Sequence, residues 1–70
     1  DHVYTVCEIK YLRSKVPVRV IAEFEQKLNL LPNRDKYKIH KVLISTEGAV
    51  DSLIHQGYFD EILVLKDLFL

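Results

Sequence analysis

Only one cysteine, Cys7, occurs in the 70-residue chain, so no disulfide can form within it. A small chain without that staple suits a reducing, intracellular setting, and cytoplasmic residence is the expectation. The run Val3-Tyr4-Thr5-Val6-Cys7 is largely apolar and predicts a buried thiol. No basic motif beside Cys7 marks it as a nucleophile. No apolar segment reaches the roughly 18 residues needed to span a bilayer, and Asp1-His2 lacks the basic region of a signal peptide. No membrane partner is therefore expected. Glycine stands only at Gly48 and Gly57, which excludes a phosphate-cradling glycine loop. His2, His40 and His55 are too dispersed to read as a metal cluster. Internal repeats, low-complexity tracts and linkers are also missing, so the length allows at most one small domain.

Net charge is absent as well, but the formal zero hides a segregation. Nine of the ten basic residues lie between Lys10 and Lys41, against Glu23, Glu25 and Asp35. From Val42 onward, Lys66 is the only base among five acids. A basic middle of this kind meets phosphate, or it forms a solvated rim. Arg13, Lys15, Arg19, Arg34, Lys36, Lys38 and Lys41 are open to both readings.

What is present has the periodicities of an α/β chain. Residues 3–11 are rich in β-branched and aromatic residues and read as a first strand, apolar on both faces and so expected to be covered on both sides. Pro17 opens a helix over 17–31, where Ile21, Phe24, Leu28 and Leu31 recur at three and four residues until Pro32 stops it. Residues 33–38 form a polar turn. A second strand spans 39–45, a short helix 49–56 with Gly57 just beyond its end, and a third strand 62–65, with 67–70 a terminal turn that packs back. The order β-α-β-α-β predicts a small three-stranded, mostly parallel sheet flanked by helices and built around the first strand. The four tyrosines, Tyr4, Tyr11, Tyr37 and Tyr58, are not spaced along one element and read as packing rather than as base-stacking residues.

Glu8 and Lys10 close the first strand and share one of its faces. Ligands of open α/β sheets gather beyond the carboxyl ends of the strands. An acid, one residue and a lysine are a minimal arrangement for metal-assisted phosphodiester hydrolysis. Glu8 and the carbonyl of Ile9 would supply oxygen ligands to Mg²⁺, and Lys10 would orient water or offset phosphate charge. The same tripeptide also reads as a strand-end ion pair.

The sequence Cys7-Glu8-Ile9-Lys10-Tyr11, a helix with Phe24-Glu25-Gln26-Lys27, then Lys41 to Thr46 with Gly48, Gly57-Tyr58-Phe59 and Leu65-Lys66-Asp67-Leu68-Phe69 follow one another in a familiar order. Over nearly the whole chain, this order resembles the later part of the PD-(D/E)XK nuclease-like domain at the C-terminus of archaeal-type AAA+ ATPases. The resemblance implies a restriction endonuclease-like fold with Glu8 as motif acid, Lys10 as motif lysine, and Lys27 at a recurrent basic helix position, otherwise a solvent-facing lysine. It also implies putting Arg13, Lys15 and Lys27 against DNA, an Mg²⁺ cofactor, and an ATPase domain as partner. Members carry an aspartate on the preceding strand, farther upstream than Asp1, which itself reads as a hairpin residue. The 70 residues are thus expected to be a fragment holding half of a site, inactive alone. Two other readings compete. One is a non-catalytic interaction or regulatory module of an ATP-binding protein. The other is a stand-alone α/β protein forming homo-oligomers through a sheet edge or an apolar patch.

Overall fold

A computed structural model of the chain describes residues 2–69. Strand β1 (Val3–Lys10) leads through a nine-residue loop to helix α1 (Val20–Leu28). After a 3₁₀ turn at Arg34–Lys36 come strand β2 (Lys38–Ser45), helix α2 (Asp51–Gln56) and strand β3 (Glu61–Val64). The three strands form one sheet in the order β1-β2-β3, and both pairings are parallel. The chain is therefore mixed α/β, as its alternation of periodicities predicts, with a wholly parallel sheet. The expectation that the sheet is built around β1 is corrected: β2 is the central strand, and β1 lies at an edge.

The helix is shorter than its apolar periodicity predicts, at both ends and for backbone reasons. Val16 pairs with Ala49 in an isolated parallel bridge, donating to the Gly48 carbonyl and accepting from the Val50 amide. Val20 and Ile21 bond to the carbonyls of Pro17 and Val18, three residues back, so residues 17–19 form a tighter turn and the first α-helical residue is Val20. Beyond Leu28, Leu30 and Leu31 bond to carbonyls three residues back, tightening the last turn before Pro32. The same bridge holds Ala49 out of α2. Gly57 ends α2 in the left-handed conformation, φ 63°, as its position past the apolar pattern predicts. The expected terminal turn is a 3₁₀ segment, Leu65–Phe69, with Leu68 exposed; Leu70 and Asp1 lie outside the described residues.

The core lies on one face of the sheet. Val20, Phe24 and Leu28 of α1 and Leu53 of α2 meet Leu43 of β2, with Val16, Ala49 and Phe59 filling the ends. Strands added in sequence order by crossovers of one hand put both helices on the same side. The other face carries Val3, Thr5, Cys7 and Ile9 of β1, His40, Val42 and Ile44 of β2, and Leu63 of β3, with Val3, Ile9 and Leu63 about half exposed. Cys7 is exposed there, which corrects the expectation of a buried thiol and of a strand covered on both sides. The thiol belongs to the apolar run, but to its uncovered side.

Candidate functional site

Glu8 is the most buried acid among the described residues, with 5 % of its surface exposed. Period-two alternation turns Tyr4, Val6, Glu8 and Lys10 toward the helices, and register sets Glu8 beside Leu43 and Lys10 beside Ser45. Both strand residues therefore point toward α1 at the carboxyl end of β1. The apolar stripe of α1 fixes which of its polar residues reach them. With Val20, Phe24 and Leu28 inward, Glu23 and Lys27 flank the stripe one turn apart.

A four-member charge cluster results. The Lys27 Nζ donates to Glu8 Oε1 at 2.5 Å, and the Lys10 Nζ lies 3.5 Å from Glu8 Oε2. Lys10 also donates to Glu23 Oε1 at 3.2 Å. The Glu23 hydrogen bond, aided by the negative charges of Glu23 and Glu8, holds the Lys10 ammonium above its ordinary 10.5 against partial desolvation. Lys10 is accordingly a fixed positive charge at neutral pH and no base. A cavity of about 80 Å³ lies beside it, lined by Leu12, Val16, Pro17, Arg19, Val20 and Glu23.

The backbone adds a feature that side-chain patterns do not reveal. The His2 carbonyl accepts from the Lys38 amide of β2 and the Lys10 carbonyl from the Thr46 amide just past its end, so even-numbered residues of β1 face β2. By alternation the N–H and C=O groups of Val3, Thr5, Cys7 and Ile9 face the free edge of the sheet. The Ile9 carbonyl is thus directed away from β2, beside Glu8.

Of the residues read as functional, Glu8, Lys10 and Lys27 are brought together. Lys27 is 59 % exposed along its side chain, yet its ammonium is on Glu8 rather than free in solvent. Arg13 and Lys15 are not part of the cluster. They lie exposed on the loop from Tyr11 to Arg19 and, like Arg19, make no ion pair among the described residues. Sequence reasoning missed Glu23; its four-residue spacing from Lys27 on the α1 pattern was the available signal.

The histidines remain dispersed. His40 meets Glu61 at 2.6 Å on the uncovered face, and no group of three or more His, Cys, Asp or Glu among the described residues could hold a metal. No helix among them is long and apolar enough to cross a membrane. Comparison with protein-family models, curated proteins and solved structures returned no match to this chain.

Proposed function

We propose that the chain is the part of a restriction endonuclease-like, PD-(D/E)XK-type domain that carries the motif acid and lysine. In this reading the complete domain hydrolyses DNA phosphodiesters with Mg²⁺. A second acid comes from a strand laid along the free edge of β1, and the 70 residues are inactive without it. One observation carries the reading: a buried carboxylate at the carboxyl end of β1, held between the ammonium groups of Lys10 and Lys27. The order of elements and the open β1 edge support it, since that edge is where a further strand can pair.

The donor chemistry fits a hard cation in part. Glu8 already holds cations on both oxygens, and the Ile9 carbonyl faces the same open edge; an acid from a neighbouring strand and substrate phosphate would fill the remaining positions. When bound, Mg²⁺ neutralises phosphate charge and acidifies a water. Glu8 orients the cation, and Lys10, held protonated by Glu23, offsets charge on the phosphate. Arg13 and Lys15 make the phosphate contacts that hold the polymer in register. On the natural polypeptide to which these residues belong, Mg²⁺-dependent nicking of supercoiled plasmid is expected. Glu8→Gln and Lys10→Met should each abolish it while leaving the far-ultraviolet dichroism unchanged. Cutting retained in either variant removes the assigned role.

The charge balance supports a second reading. Glu8 and Glu23 are matched by Lys10 and Lys27, so the cluster is neutral as it stands and ties α1 to β1. In that case the chain is a non-catalytic module attached to an ATPase. Amide shifts at Glu8 to Tyr11 in millimolar Mg²⁺ favour the metal site, and their absence favours the module.

A further inference from the structure

Three of the four tyrosines are accounted for by packing. Tyr4 lies 4.6 Å from Tyr37 between ring centroids, and Tyr58 meets Phe24 and Phe59 edge-on. Tyr11 has no aromatic partner among the described residues and is 76 % exposed. It follows Lys10 directly, at the carboxyl end of β1, and opens the loop that holds Arg13, Lys15 and Arg19. That loop contains no acid, and its three cations are unpaired among the described residues. Leu12 and Arg19 line one cavity with Lys10, so the far end of the loop returns to its start. Two residues of chain span no more than about 7 Å, which sets the Cα atoms of Tyr11 and Arg13 within roughly one nucleotide of each other.

An exposed aromatic ring among unpaired cations is the chemistry that holds an unpaired strand: the cations track phosphate and the ring takes a base face. A paired, stacked base offers no such face. We propose that Tyr11 is a base-stacking residue and that the Tyr11–Arg19 loop takes single-stranded nucleic acid in preference to duplex. The proposal deepens the phosphodiester reading of the neighbouring Glu8 site and rests on it for the identity of the polymer. It revises the reading of all four tyrosines as packing residues, because Tyr11 alone is largely exposed and has no aromatic partner among the described residues.

The test is fluorescence anisotropy of the full chain with a labelled oligothymidylate of about 16 nucleotides, the upper end of the length such sites cover. A sequence-matched mixed-base strand and its duplex are measured alongside. Strand binding should exceed duplex binding about tenfold, and Tyr11→Leu should weaken strand binding by about tenfold with at most a twofold effect on duplex. Tyr11→Phe should restore it, since the ring and not the hydroxyl makes the stack. Arg13→Gln should lower the slope of log affinity against log salt by about one, which Tyr11→Leu should leave unchanged. Equal affinity for strand and duplex, undiminished strand binding by Tyr11→Leu, or no binding to either polymer overturns the proposal. Tyr11-dependent strand binding by a natural polypeptide that never cuts with Mg²⁺ upholds the proposal and discards the nuclease reading.

Discussion

At the residue scale, the interactions that matter join parts of the chain far apart in sequence. Glu25 of α1 accepts from the Tyr58 hydroxyl and, at 3.2 Å, from Arg34. The Tyr58 bond, with the Arg34 and Lys41 charges, holds the Glu25 carboxyl below its ordinary 4.5. Burial and Glu25 together push the Tyr58 hydroxyl above its ordinary 10.0. A depressed carboxyl contributes stability that is present above 4.5 and lost as pH falls through its folded value. A raised phenol contributes stability that is present below 10.0 and lost as pH climbs past it. The pair should therefore stabilise the fold across the whole interval between. Tyr58→Phe should cost about 1 kcal/mol in urea unfolding at neutral pH, and the Glu25 titration, followed by NMR, should move up toward 4.5. Lys27 makes a second test. Its ammonium sits on Glu8 Oε1, the oxygen that the proposed metal site would use, so on that reading it would compete with metal. Lys27→Met should tighten Mn²⁺ binding, read as line broadening around Glu8, by about tenfold or more. Equal affinity in both proteins would show that the two do not compete.

The behaviour of the elements follows from how each is stopped and what it covers. Helix α1 has nine residues and no side-chain cap at its start, so its persistence depends on the apolar face. Phe24, fully buried against Tyr58 and Phe59, is the centre of that face. Phe24→Ala should cost about 3–5 kcal/mol, measured by thermal or urea unfolding, and a loss under 1 kcal/mol would mean that the core is organised elsewhere. The loop from Ser45 to Val50 is constrained from two sides: the Gly48 amide donates to Ser45 Oγ while its carbonyl accepts from Val16. Gly48 has φ 84°, and a Cβ there would lie 3.3 Å from Val64 Cγ2, whereas at Gly57, φ 63°, it would meet nothing. Gly57→Ala should therefore cost about 1 kcal/mol of backbone strain alone. Gly48→Ala should cost more, because strain and the Val64 contact add.

For the molecule as a whole, the uncovered sheet face is the dominant physical fact. Parallel sheets are ordinarily covered on both sides, and here Val3, Ile9 and Leu63 face outward around Cys7. The thiol should react with a maleimide in the folded chain, at a rate that does not change with urea below the unfolding transition. A rate that follows global unfolding would mean that the face is closed. The same exposure predicts concentration-dependent association in sedimentation, and Ile9→Lys should suppress it without lowering the melting temperature. Association unchanged by Ile9→Lys would assign the contact to the free edge of β1 instead.

The sequence by itself determined the order of elements, the place of Phe24 and Leu28 on the inward stripe of the helix, the stop at Gly57, and the shared face of Glu8 and Lys10. All of these are local, because periodicity and turn chemistry act over a few residues. Only the tertiary structure decided that β1 lies at the edge, that Cys7 faces outward, and that Lys27 and Glu23 close around the Glu8-Lys10 pair. An alternating strand states which residues share a face but not which face receives the helices. That choice depends on the direction in which both crossovers add strands, and it is made only when the separated segments pack together.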